Sequence, residues 1–265
     1  MKINNVFFFA LLTSFLLPAC TGSPGQARFS SDHCSNQDIR VLEQIKSYNS
    51  QYQDVFHIGH QKWDNGQITH FTADDYGDKF RLRDLFQLTS LKELNLSYVD
   101  ILDSMTADID NLRSLESLII NFTNMSGNIN VGIGTLDKLV FLSLDHNNLT
   151  GTLPESVGNL ALLKGLSLDH NQLSGELPDA IGNWTNLTHL HLDENNFSGG
   201  IPSSVGNLKK LKVLHLAYNQ FESLPAAICG LPLSKMEFTL YGNRFCNDNS
   251  IPKCTAGMEG FQNCY

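Results

Sequence analysis

The chain has 265 residues, of which 42% are hydrophobic, and a formal net charge of −9 at neutral pH. That hydrophobic content is enough for a continuous core and argues against global disorder. The acidic balance argues against a nucleic-acid partner and against binding to anionic membrane surfaces, because both depend on clustered Lys and Arg. The length allows one large domain, two small ones or a single repeat array.

Residues 1–20 are typical of a signal segment. Lys2 gives a positive start, and an apolar run follows that is too short to span a bilayer, which needs roughly 20 residues. The letters LPAC at residues 17–20 resemble a bacterial lipobox, which would place a lipid anchor on Cys20. Ordinary cleavage near Gly22 is the alternative and would remove Cys20. A lipid on Cys20 is the one membrane attachment that the sequence predicts.

Two segments lie between the signal segment and the repeats. Residues 21–33 are predicted to form a tether, and residues 34–66 a helical N-terminal cap. Within the cap, Ile39, Leu42 and Ile45 lie at helical spacing, which predicts an amphipathic helix. Such a cap would cover the apolar edge of the repeats that follow.

A 24-residue repeat dominates residues 67–245, in about eight copies. In each copy two apolar residues alternate around one polar residue, which predicts a short strand with both apolar side chains on one side. One strand cannot bury its leucines alone, so stacked copies must share a core and form a parallel sheet. The central apolar positions are Leu94, Leu118, Leu142, Leu166, Leu190, Leu214 and Phe238, with Phe71 preceding Leu94 by 23 residues.

An asparagine recurs where each repeat leaves its strand. Its amide has two donors and an acceptor, so a stacked column could satisfy backbone groups of adjacent coils. Thr123 stands where an earlier member of the column is expected. The predicted structural residues are Asn147, Asn171, Asn195, Asn219 and Asn243.

The second half of the repeat reads LTGTLPESVGNL, LSGELPDAIGNW and FSGGIPSSVGNL. These letters resemble the plant-type leucine-rich-repeat class, as in receptor ectodomains and polygalacturonase-inhibiting proteins. The resemblance implies an α/β repeat fold: a right-handed leucine-rich-repeat solenoid with a parallel β-sheet on the concave face. Short 3-10 or helical turns would form the convex side.

Exposed positions beside the strands should form rows along the concave face. The rows combine aromatic, acidic and imidazole side chains, and aromatic residues are common anchors in interfaces. We therefore expect an extracytoplasmic binding module, secreted or at the cell surface, for a protein or polysaccharide partner. The resemblance adds an alternative, inhibition of a wall-degrading glycosidase. The candidate binding residues are Tyr98, Phe122, Phe141, Asp145, His146, Asp169, His170, His191, Asp193, His215 and Tyr218.

Two other interpretations compete for the same residues. The DHN and DEN triplets are also ordinary solvated forms of the repeat consensus, with no single ligand. Asp and His could instead ligate a metal, but a flat, open sheet differs from the enclosed sites that catalysis uses. No nucleophile, zinc-protease or phosphate-loop signature is present. We predict no enzyme activity, no metal and no cofactor.

Residues 246–265 are predicted to form a Cys-rich C-terminal cap. Four of the six cysteines lie near this end: Cys229, Cys246, Cys254 and Cys264. Their spacing lacks the close pairs of a zinc site, so two disulfides are expected, with the connectivity open. Cys34 is left over if Cys20 is lipidated or removed.

Overall fold

The computed structural model describes residues 34–245 and 251–255. The predicted signal segment, the tether, the lipid site at Cys20 and most of the Cys-rich cap therefore lie outside the described residues. Within the described part, no helix is both long enough and apolar enough to cross a bilayer.

The repeats stack into one sheet of nine strands within the described residues. We call it the concave sheet. Its pairing sets Phe71 opposite Leu94 and continues through every central leucine to Phe238, which confirms the alignment of the repeats. Its strands are His60–Asp64, Gln67–Ala73, Glu93–Ser97, Ser117–Asn121, Phe141–Ser143, Gly165–Ser167, His189–His191, Val213–His215 and Glu237–Thr239.

The first strand differs from the others. His60–Asp64 pairs antiparallel with Gln67–Ala73, whereas all later pairs in this sheet are parallel. The two strands are joined by Asn65 and Gly66, both with positive φ, as a tight two-residue hairpin requires. The N-terminal cap thus ends in a hairpin strand that closes one edge of the sheet, a feature that the purely helical prediction lacked.

The cap helix runs from Asn36 to Ser47, with the Ser35 hydroxyl accepting from the Asp38 amide at 3.3 Å. Leu42 and Ile45 are fully buried as expected, whereas Ile39 is only half-buried. Asp38 is buried on the same side, and its carboxylate accepts from the Ile68 amide at 2.7 Å. This bond ties the helix to the first repeat strand. A second, shorter helix spans Leu82–Leu85.

Between the concave strands the chain forms short strands and 3-10 turns. The lateral pairs are Lys79–Phe80 with Asp100–Ile101 and Ser126–Asn128 with Asn148–Thr150, and a three-stranded group joins Ser174–Gly175, Asn196–Gly200 and Gln220–Ser223. The 3-10 turns are Val55–His57, Ala107–Asn111, Val131–Thr135, Glu155–Asn159, Asp179–Asn183, Ser203–Asn207, Ala226–Gly230, Leu233–Lys235 and Lys253–Thr255.

Proline positions the convex turns. Pro154, Pro178 and Pro202 immediately precede their 3-10 turns with φ between −65° and −70°, which is the angle that the ring fixes. Asn130 takes the same place in an earlier repeat, where its side chain accepts from the Gly132 amide at 2.8 Å. A capping side chain thus replaces the rigid ring.

The asparagine column binds each coil to the one before it. The Asn171 amide donates to the Leu144 carbonyl of the preceding coil at 2.8 Å and to the Leu168 carbonyl at 3.1 Å. Its oxygen accepts from the Leu149 amide at 3.0 Å. Asn147, Asn195, Asn219 and Asn243 are buried in the same way. Thr123, at the irregular position, donates its hydroxyl to the Asn147 oxygen instead.

The C-terminal end is closed by a disulfide. Cys229 is bonded to Cys254, with Cα atoms 5.6 Å apart. This bond ties the last repeat to the described part of the cap. Cys246 and Cys264, which we expected in a second bridge, lie outside the described residues. Cys34 is also disulfide-bonded.

Candidate recognition face

A continuous row of stacked rings follows the ends of the concave strands. We call Tyr76, Tyr98, Phe122, His146 and His170 the ring row. Successive ring centroids are 5.4, 4.9, 4.1 and 3.9 Å apart, and the last three pairs are stacked. Tyr98, Phe122, His146 and His170 were predicted as one row because they recur every 24 residues. Tyr76 was missed, since it lies 22 residues before Tyr98.

The stacking decides which part of each ring meets solvent. Each inner ring lies nearly parallel to its neighbour, with interplanar angles of 13° for Tyr98–Phe122 and 15° for Phe122–His146. Both faces of Phe122 and one face of Tyr98 are therefore covered by stacked neighbours. Tyr98 is still 38% exposed and Phe122 40% exposed, and the edges of such rings carry the positive end of the aromatic quadrupole. Such edges suit carbonyl and carboxylate oxygens better than stacked sugar rings.

The backbone beneath this row is strained. Tyr98, Phe122, His146, His170, Glu194 and Tyr218 all have φ between 52° and 63°. This left-handed region disfavours side chains, and each non-glycine residue there costs on the order of 1–3 kcal/mol. The next equivalent residue, 24 positions after Tyr218, is Gly242, with φ 71°. The fold thus accepts glycine at this position, yet the preceding coils carry large side chains.

A second row runs beside the rings and is built into the sheet. The Asn121 oxygen accepts from the Asp145 amide at 2.8 Å, Asp145 from the Asp169 amide at 2.9 Å, and Asp169 from the Asp193 amide at 2.7 Å. We call Asp145, Asp169 and Asp193 the carboxylate row. One side-chain oxygen of each of these three aspartates therefore accepts from a backbone amide of the next coil and holds that coil in place.

The carboxylate row favours bound protons. Burial is the first cause of the raised pKa of Asp145, Asp169 and Asp193. For Asp169 the pKa rises to about 8, because the charges of Asp145 and Asp193 add to the burial. Carboxyl groups placed one coil apart cannot all ionise without repulsion.

Imidazoles lie beside this row in the middle of the concave sheet. His191 Nδ1 is 3.8 Å from Asp169 Oδ2, and His215 Nδ1 is 3.8 Å from Asp193 Oδ2. Burial, followed by the charges of His215 and His189, lowers the pKa of His191 to about 4. His215 Nε2 lies 3.1 Å from Glu237 Oε1 but lacks hydrogen-bond alignment with it. The centre of the face therefore contains one carboxyl group and one imidazole, Asp169 and His191, whose pKa values both favour the uncharged form at neutral pH.

The remaining predicted residues fall in two places. Phe141 begins its strand between Ser117 and Gly165, at the end of the strands away from the ring row. Tyr218 is 54% exposed and packs edge-on against Tyr241 at 5.0 Å. Glu194 separates this tyrosine pair from the ring row, and its Oε1 lies 3.1 Å from His170 Nε2. In the part of the chain that the structure describes, no three His, Cys, Asp or Glu side chains are grouped to hold a metal ion.

Comparison with known families agrees with the repeat pattern. The leucine-rich repeat region family matches residues 129–220, and the leucine rich repeat family matches residues 210–231. No curated protein matches the sequence significantly.

Solved structures extend the likeness to most of the solenoid. The PEPR1–AtPEP1 structure is 26% identical over 82% of this chain and 34% of its own, with a TM-score of 0.71. The plant peptide hormone receptor RGFR1 in complex with RGF2 is 27% identical over 76% of this chain and 35% of its own, with a TM-score of 0.62. This chain thus spans about a third of the length of either.

A plant ice-binding protein is 25% identical over 80% of this chain and 72% of its own, with a TM-score of 0.65. The 24-residue pattern, the stacked coils and these likenesses together show a leucine-rich-repeat solenoid that resembles plant-type leucine-rich-repeat proteins.

Proposed function

We propose that this chain is an extracytoplasmic recognition module that binds an extended segment of a protein partner along the ring row. The ring row itself carries the proposal, because large exposed rings occupy a backbone position at which the fold accepts glycine. Strained residues of this kind point to function when the fold does not need them. The solved structure of RGFR1 with RGF2 supports a protein partner, because that protein is a plant peptide hormone receptor.

The ring row and its continuation past Glu194 to Tyr218 together have dimensions that suit a short extended peptide. Neighbouring coils are about 4.8 Å apart, so the five steps from Tyr98 to Tyr218 span roughly 24 Å. An extended chain advances about 3.3 Å per residue, and about seven residues would cover that length. Ring edges would contact the peptide carbonyl groups, and clustered aromatic anchors would supply most of the binding energy.

A displayed library of random decapeptides tests the proposal. Wild-type protein should enrich specific peptides, and the combined variant Tyr98→Ala, Phe122→Ala and Tyr218→Ala should bind them at least 100-fold more weakly. Hot-spot truncations of about 1–2 kcal/mol each would give that loss. The matched control is Val131→Ala with Leu162→Ala, which removes exposed apolar side chains outside the concave sheet. Unchanged binding by the triple variant, with its unfolding temperature preserved, would reject the ring row as the binding surface.

Two other functions can be tested on the same protein. Adsorption to ice is favoured by the likeness to the plant ice-binding protein, which extends over 72% of that chain. Thermal hysteresis of the purified protein would measure it, and a freezing point equal to the melting point would remove it. Inhibition of a wall-degrading glycosidase stays a prediction, to be checked with a panel of pectin-degrading enzymes.

A further inference from the structure

A cleft opens where Glu194 interrupts the series of rings. It has a volume of about 460 Å³ and is lined by Asn171, Glu194, Asn195, Asn196 and Tyr218. It is shallow and mostly open to solvent rather than an enclosed pocket. Asn171 and Asn195 belong to the buried column that fixes the coils, so the floor of the cleft is rigid.

The walls of the cleft combine one carboxylate with an aromatic corner. About half of the Glu194 side chain is exposed, and its one ion-pair contact among the described residues is with His170. Tyr218 is more than half exposed, and Tyr241 meets it edge-on at an interplanar angle of 87°. Among the described residues no ring is stacked face to face on Tyr218, unlike the inner rings of the ring row.

The charges around the cleft are predominantly negative. Asp193 precedes Glu194 in the chain, and burial followed by the charges of Asp193, Tyr218 and Glu194 raises the pKa of the Tyr241 hydroxyl. Along the row of Asn196, the nearest cationic residue is Arg244, two coils away. Arg244 forms no ion pair with Glu194 among the described residues.

We propose that this cleft binds the guanidinium or ammonium group of an Arg or Lys side chain in the partner peptide. Glu194 would supply the counter-charge through a charge-assisted hydrogen bond. The ring face of Tyr218 would supply a cation–π contact. The inference rests on the proposed peptide-binding function and specifies one residue type that the peptide must contain.

The competing explanation is that Glu194 only positions His170 within the face. Gln at this position keeps the Oε1 atom near His170 Nε2 and removes only the charge. Glu194→Gln therefore separates the two roles. The matched control is Glu155→Gln, which makes the same charge change at an exposed convex position.

The test compares peptides selected from the random decapeptide library by wild type, Glu194→Gln, Tyr218→Leu and Glu155→Gln. We expect Arg or Lys at one position of the wild-type peptides. That preference should fall at least tenfold in Glu194→Gln and Tyr218→Leu and persist in Glu155→Gln. Selected peptides without a basic residue, or a basic preference unchanged in Glu194→Gln, would overturn the inference and leave the proposed function standing. Selection of no peptide by wild type would overturn both.

Discussion

The carboxylate row makes stability depend on pH through Asp169. Its folded-state pKa of about 8 lies far above the value near 3.9 of an unfolded aspartate. Between these values the folded chain holds a proton that the unfolded chain has lost. The free energy of unfolding contributed by Asp169 is therefore largest at low pH and disappears as the pH rises through 8.

Asp169→Asn removes this dependence with little change in shape. An amide oxygen can still accept from the Asp193 amide, which Asp169 now holds at 2.7 Å. One pKa unit corresponds to about 1.4 kcal/mol, so the Asp169 contribution should fall by about 1.4 kcal/mol between pH 7 and pH 9. The variant should gain that amount relative to wild type over the same interval. Titrating groups far from Asp169 are common to both proteins and cancel in the difference.

Urea unfolding of both proteins at pH 7, 8 and 9 measures the difference, provided that the slope with urea stays the same. Asp179→Asn, an equal charge change at an exposed position on a convex turn, is the control and should run parallel to wild type. If the free energies of unfolding of wild type and Asp169→Asn differed by the same amount at pH 7, 8 and 9, the reasoning that folded Asp169 holds a proton would be refuted.

Two further predictions concern the stacking of the coils. Asn171→Ala should lower the free energy of unfolding by about 1–3 kcal/mol, because it leaves the buried Leu149 amide without its partner and removes the shorter of two hydrogen bonds to the Leu144 carbonyl; the exposed Asn148→Ala should change it by less than about 0.5 kcal/mol. Gly134→Ala should cost about 1–3 kcal/mol, since its Cβ would clash with the Ser156 backbone of the next coil. Gly230→Ala is the control, because its added Cβ meets only the flexible end of Lys209. Both are measured by thermal or urea unfolding, and equal effects in a variant and its control would contradict the stacking argument.

The repeat was predictable because each of its residues packs against the equivalent residue of the neighbouring coil. Each Leu in a central position faces a Leu one coil away, so the 24-residue period alone sets the register. The N-terminal cap is not repeated, and its details were harder to infer. Asn65-Gly66 is a strong hairpin signal between two short segments, which the prediction of a helical cap for residues 34–66 leaves out. Asp38, a charged residue, is buried because its carboxylate binds the Ile68 amide, which helical spacing cannot indicate.

The candidate face was predictable as rows of residues, but the contacts within those rows were not. The period places Asp145 beside Asp169, yet only the structure shows that each carboxylate accepts from the next amide. Those bonds depend on side-chain direction along the sheet, which sequence spacing does not determine. Spacing likewise does not indicate the left-handed backbone at Tyr98, Phe122, His146 and His170. The 24-residue period also does not predict Tyr76, which lies in an irregular repeat and contacts the ring of Tyr98.

The carboxylate row contributes to the stability of the fold, whereas the ring row is the surface proposed for recognition. Replacing an aspartate of the carboxylate row removes a bond between coils, so a loss of binding in such a variant could reflect a loss of structure. The fold does not need a side chain at the ring positions, because glycine fits there without the left-handed penalty, as Gly242 does. Substitution of a ring by Gly can thus offset part of the lost packing by relief of backbone strain, whereas Ala removes the ring and keeps the left-handed backbone penalty unchanged. Substitutions at Tyr98, Phe122 and Tyr218 consequently report on recognition more directly than substitutions at Asp145 or Asp169.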